Sequence, residues 1–118
     1  MRPRVYISGP MTGDGTPEAM AQNVAEGVRV AKLLIRAGFS VFCPHLSGLM
    51  PGHEEIPHEV WIDNDLAWVL VADAVLRLPG ESKGADAEVD FAVDCDVRVF
   101  TSVEGLQEEF KYCLEAIA

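Results

Sequence analysis

Positive charge is scarce in this sequence. Nine Lys and Arg stand against nineteen Asp and Glu, a formal net charge of −10. A protein that follows a phosphate backbone needs a basic footprint, so a nucleic-acid polymer is not an expected partner. A small phosphorylated ligand held by backbone amides remains open. Cysteine is also scarce. Cys43, Cys95 and Cys113 lie far apart, form no CxxC pair and no disulfide framework, and read as core thiols in apolar contexts. No signal peptide opens the chain, and no apolar run approaches the ~18 residues of a membrane span. The expectation is a cytoplasmic protein with reduced thiols and no membrane partner. His53, Glu54, Glu55 and His58 suggest metal ligands at first sight. Pro57 breaks the helix that an HExxH-type site needs, so neither a metal nor a cofactor is expected. Linkers, repeats and low-complexity segments are missing too, and 118 residues make one domain, 1–118.

What is present is a core-forming composition, 49% hydrophobic, arranged as short β-rich runs between longer helical patterns. Val5–Ser8 is the first run, stopped by Gly9-Pro10. After a Gly- and Thr-rich loop, Thr16 before Pro17 reads as an N-cap followed by N1. Met20, Val24, Val28, Ala31 and Ile35 recur at steps of three or four, which predicts one apolar helix face. Gly38 ends that helix. Residues 40–43 are a second strand, 45–57 an irregular loop, and 58–72 a helix rich in aromatics. Residues 74–78 are a third strand, 84–94 a helix with Val89 and Ala92 inward, 97–100 a fourth strand and 103–117 a last helix. This alternation predicts an α/β fold, a flavodoxin-like or Rossmann-like three-layer sandwich on a four- or five-stranded parallel sheet. Such sheets bind ligands at the carboxyl ends of their strands.

Those ends fall at Ser8-Gly9-Pro10-Met11-Thr12-Gly13, at Cys43-Pro44-His45 and at Leu78 to Gly84. The last of these loops opens directly into a helix. Free N–H groups there attract anions, and Ser82 and Gly84 offer a hydroxyl and an uncrowded amide. The alternative is a plain strand–turn–helix connection with Ser82 as its cap. Glu88, one turn further on, is either a surface acid or a carboxylate aimed at a bound sugar. Asp65 shares a helix face with Trp61 and Trp68. It is either a solvated acid beside Asp63 and Asn64, or an acid in an apolar pocket with a raised pKa suited to proton donation. Asp73, just before a strand, reads as a helix-end or turn residue.

Three segments in order resemble the nucleoside 2-deoxyribosyltransferase superfamily. They are Tyr6-Ile7-Ser8-Gly9-Pro10, then Asp65-Leu66-Ala67-Trp68-Val69-Leu70-Val71-Ala72-Asp73, then Ser82-Lys83-Gly84-Ala85-Asp86-Ala87-Glu88. The Tyr-Ile-Ser-Gly-Pro-Met-Thr-Gly opening and the Leu-Pro-Gly before Ser82 are also similar to a small branch of that superfamily. The resemblance implies that Glu88 is the nucleophile on the anomeric carbon, that Asp65 assists the leaving base, and that Tyr6 positions the nucleophile or sugar. It implies substrate contacts at Ser8, Gly9, Pro10, Met11, Ser82 and Gly84. Serine at position 82 leans toward nucleoside 5′-monophosphates, because the Asp of nucleoside-specific branches would repel a phosphate. Two departures stand out. No Asn or Ser near the C-terminus matches the residue that family members place in a neighbouring subunit's site. The first loop also lacks the Arg of the nucleotide hydrolases.

The expected activity is that of an N-glycosidase or deoxyribosyltransferase acting on a nucleoside or its 5′-monophosphate, assembled as a homodimer or larger homo-oligomer. The rivals are a non-catalytic nucleotide sensor on the same fold and a phosphoribohydrolase of the cytokinin-activating type. The latter's Gly-rich motif is only faintly echoed between Pro79 and Glu88.

Overall fold

The computed structural model describes residues 1–117; Ala118, the last residue of the expected domain, lies outside the described residues. Strand β1 (Arg4–Ser8) is followed by helix α1 (Pro17–Ala37), strand β2 (Ser40–Phe42) and two 3-10 turns at Pro44–Leu49 and His53–Glu55. Helix α2 (His58–Val71), strand β3 (Ala74–Arg77), helix α3 (Lys83–Asp94) and strand β4 (Arg98–Phe100) follow. Two short helices, α4 (Val103–Glu109) and α5 (Lys111–Ile117), complete the order.

The four strands form one sheet in the order β2-β1-β3-β4, with every pairing parallel. This is the flavodoxin-like arrangement expected from the alternation of elements. Successive side chains of a strand point to opposite faces. Val5 and Ile7 of β1, with Ala74 and Leu76 of β3, therefore enter one core with Val30, Ala31 and Leu34 of α1 and with Leu106 and Phe110. Tyr6 and Val75 enter a smaller cluster with Val69 of α2 and Ala92 of α3. Helices α1, α4 and α5 thus cover one face, and α2 and α3 the other.

Helix α1 begins as its sequence predicts. The Thr16 hydroxyl accepts from the Ala19 N–H at 3.2 Å, and Pro17 occupies the first turn. It ends at Gly38, whose φ of 109° suits glycine. The Arg2 guanidinium donates to the Ile35, Gly38 and Phe39 carbonyls and satisfies that helix end. The buried face runs through Val24, Gly27, Val30, Ala31 and Leu34. Ile35, expected inward, is exposed. The face turns toward Gly27 because the His45 ring packs there: a Cβ on Gly27 would lie 2.6 Å from His45 Cγ.

Three other expectations are corrected. The segment 45–57 is built of two 3-10 turns rather than irregular chain. The last helix is two, parting at Phe110, whose ring wedges edge-on against Phe39 at 6.0 Å. Neither Gly nor Pro marks that break in the sequence. Cys43 is buried, but Cys95 and Cys113 are exposed, since one ends α3 and the other lies on the outer side of α5.

Candidate active site

The order β2-β1-β3-β4 has its topological switch between β1 and β3, where the following helices leave to opposite faces. Tyr6 and Ser8 lie two residues apart on β1 and so project to the same face, over which α3 passes. Ser8 Oγ donates to Glu88 Oε1 at 2.8 Å, and the Tyr6 hydroxyl donates to Glu88 Oε2. Each carboxylate oxygen of Glu88 therefore holds one hydroxyl. Ser8 is fully buried, and its oxygen also lies 3.3 Å from the Ala85 carbonyl.

Burial pushes the Glu88 carboxyl above its ordinary range, while the Tyr6 and Ser8 hydrogen bonds pull it back toward the ionised form. The charge of Asp65 adds to the rise and that of Arg77 opposes it. Burial, and then the charge of Glu88, push the Tyr6 phenol far above its usual value, so it stays a donor. Asp65 is half-buried on α2, and desolvation raises its carboxyl; an Asn64 hydrogen bond at 3.2 Å opposes this. The fold thus joins Tyr6, Ser8 and Glu88 by hydrogen bonds from two elements, with Asp65 on α2 near enough for its charge to act on Tyr6 and Glu88.

The indoles beside Asp65 differ in role. Trp61 donates its N–H to the His53 carbonyl at 3.0 Å and ties α2 to the preceding 3-10 turn. Trp68 is about half exposed and stacks on Phe42 at 4.9 Å; Phe42 in turn stacks on Tyr6 at 5.6 Å. Asp73 accepts from the Arg4 N–H at 2.7 Å and closes the turn into β3.

The remaining candidates sit at the same end of the sheet. Ser82 caps α3, its oxygen accepting from the Ala85 N–H at 3.1 Å. That bond uses a lone pair and leaves the Ser82 proton free to donate. Gly84 is exposed in the first turn, and a Cβ there would meet only Ser82 Oγ, at 4.0 Å. Gly9, Pro10 and Met11 make internal contacts. A Cβ on Gly9 would come within 2.9 Å of Leu78 Cβ, so glycine there permits two loops to touch. The Pro10 carbonyl accepts from His45 Nε2 at 3.0 Å, and the Met11 carbonyl accepts from Asn23 at 3.2 Å.

Two side chains receive no role from the sequence: His45, named only as part of a strand end, and Arg77. His45 is fully buried; its Nδ1 lies 3.7 Å from the Cys43 thiol while its Nε2–H holds the first loop. Burial lowers its pKa, so the ring is neutral. Arg77, at the end of β3, binds the next turn and Asp86. Alternation along β3 carries the one signal for Arg77, a face shared with Val75, but it does not show the enclosure.

The fold has a solved counterpart. A 2-deoxyribosyltransferase from the psychrotolerant bacterium Bacillus psychrosaccharolyticus superposes with a TM-score of 0.58 at 20% identity, over 81% of this chain and 69% of that one. None of the curated proteins matches the sequence. No helix among the described residues is long and apolar enough to cross a membrane. Residues 3–101 match the model of a family described as a domain of unknown function, DUF4406, and the chain belongs to that family.

Proposed function

We propose that this protein is an N-glycosidase or deoxyribosyltransferase that cleaves the base–sugar bond of a nucleoside or nucleoside 5′-monophosphate. The observation that carries the reading is the pair of hydroxyls, Tyr6 and Ser8, on the two oxygens of half-buried Glu88. Each oxygen keeps a second lone pair, so Glu88 is oriented without being blocked. Its carboxylate attacks the anomeric carbon, the C1′–N bond breaks, and its electron pair leaves with the base. Asp65, whose desolvation favours the protonated form, supplies the proton that the base takes up. Water, or a second base, then displaces Glu88 from the sugar ester. Nothing in this sequence of steps requires a metal or an organic cofactor.

Ser82 and Gly84, at the start of α3, are proposed to meet the sugar's 5′ end. The free Ser82 proton and the first amides of α3 suit a phosphate. The exposed apolar residues of α2, among them Val60, Ile62 and Leu70, support the homodimer expected from the sequence.

The test is incubation with nucleosides and nucleoside monophosphates, with released base followed by chromatography. Release from one class of substrate supports the reading, and its absence in Glu88→Ala ties the activity to this site. Binding without release identifies a nucleotide-binding protein instead.

A further inference from the structure

Arg77 is a nearly buried cation that the proposed chemistry does not use. It stands opposite Ser8 in the β1–β3 register, and Val75, two residues earlier, packs against Tyr6. Arg77 therefore leaves the sheet on the same face as Tyr6 and Ser8, beneath the start of α3. Only 15% of its side chain is exposed. A guanidinium so enclosed must place its donors on acceptors. One amino group donates to the Leu78 carbonyl; the other donates to the Gly80 carbonyl at 2.9 Å and to Asp86 Oδ1 at 3.0 Å. These acceptors belong to the turn after β3 and to the first turn of α3. Gly80 has φ 114°, and a Cβ on it would lie 2.9 Å from the Pro10 ring, so the same turn braces the loop after β1.

We propose that Arg77 is a positioning residue: by joining the end of β3, the 78–80 turn and the first turn of α3, it sets where Glu88 meets Tyr6 and Ser8. The inference rests on the reading of Glu88 as the reacting carboxylate. Helix α3 has two ties at its start. Ser82 caps it from within, and Arg77 fastens it to the strand beside β1. Ala85, one turn before Glu88 on the same side of α3, is buried against Ser8, so a shift of this turn moves Glu88 too.

Charge adds to the geometry. The groups acting on Glu88 are Tyr6 and Ser8 from β1, Asp65 from α2 and Arg77 from β3, and Arg77 alone of these is positive. In a chain of net charge −10, this enclosed cation acts on Glu88 through its charge and opposes the repulsion from Asp65. The Asp86 partner is itself 70% exposed, so that ion pair contributes little alone. What matters at Asp86 is the hydrogen bond that ties α3 to Arg77, which D86N keeps through its amide oxygen, together with the turn carbonyls and the guanidinium charge. Lysine would keep the charge but lose the fork.

The experiment follows the Glu88 side-chain carboxyl by NMR as pH is varied, in the parent, R77M, R77K and D86N. It needs no turnover. R77M should raise the Glu88 midpoint, since charge and placement are both lost. R77K should raise it less, and D86N should leave it near the parent's. The Leu78 amide, which donates to the Ser8 carbonyl at 2.7 Å, should exchange faster in R77M and R77K. An unmoved midpoint in R77M overturns the proposal, as does a D86N shift equal to that of R77M. Should R77M not fold, an unmoved midpoint together with unchanged Leu78 exchange in R77K overturns it. If the parent releases no base from any nucleotide while R77M still moves the midpoint, the functional reading fails and the positioning role stands.

Discussion

The two faces of the sheet are built differently. The α1 face is packed with aliphatic and aromatic side chains from β1, β3, α1, α4 and the α4–α5 junction, and its helix ends are satisfied by Thr16, Gly38 and Arg2. The α2/α3 face has a smaller apolar cluster and holds the half-buried acids. Helix α2 lacks a side-chain cap and buries only Val69 fully, while Val60, Ile62, Trp68, Leu70 and Val71 stay exposed. Desolvating Glu88 and Asp65 costs stability, and a fold tolerates this where the opposite face is well packed. One face carries most of the packing and the other the proposed chemistry.

Substitutions sharpen or break this division. The largest effect should come from Glu88→Ala, which removes the proposed nucleophile. Turnover should fall about 1,000-fold or more, roughly 4 kcal/mol of barrier, and circular dichroism should show an intact fold. Leu34→Ala is the counterpart on the packed face. Leu34 is fully buried, so its truncation should cost about 3 kcal/mol in denaturant unfolding. The turnover of the molecules that remain folded should be unchanged.

Glu88→Gln should act on how stability depends on pH, which Leu34→Ala leaves alone. The folded-state carboxyl titrates above its ordinary value, so between the two values the folded chain holds more protons than the unfolded one. Stability therefore falls as pH rises through that window. Glutamine cannot ionise, so Glu88→Gln should lose turnover and flatten the stability curve across that window. A slope that persists in Glu88→Gln would show that Glu88 is not its source.

His45 has the reverse pH sense. Its pKa is lowered by burial from 6.5, so the unfolded chain binds the proton more readily. Stability should fall as pH drops from 6.5 toward the depressed folded-state value, and His45→Gln should flatten that part of the curve. The smallest effect is expected from Leu70→Glu. Leu70 is exposed, and its substitution should change monomer stability by less than about 0.5 kcal/mol. A loss of sedimenting dimer in Leu70→Glu would assign the apolar surface of α2 to self-association.

Much of the fold is legible because local signals agree. Thr16-Pro17 and Gly38 bracket α1, Gly9-Pro10 and Pro79-Gly80 stop β1 and β3, and helices separate the strands. What escapes depends on contacts distant in sequence. The buried face of α1 turns toward Gly27 because a histidine eighteen positions later needs the space. The break at Phe110 arises from Phe39, and the exposure of Cys95 and Cys113 from where α3 ends and how α5 turns. At the site, the sequence names Tyr6, Ser8 and Glu88 one by one; that both hydroxyls meet the Glu88 oxygens needs the register of β1 with β3 and the passage of α3 above it. Periodicity treats Arg77 as a charged strand end. Its enclosure by the following turn appears only once that turn is built.

The most direct test of Glu88 as nucleophile is to quench the parent protein in acid during turnover and measure its intact mass and peptides. The account predicts a fraction of protein heavier by one sugar or sugar-phosphate unit, with the addition on the peptide that contains Glu88 and none in Glu88→Ala. Base release by Glu88→Ala at a rate within a few-fold of the parent's, with no sugar on that peptide, would contradict it.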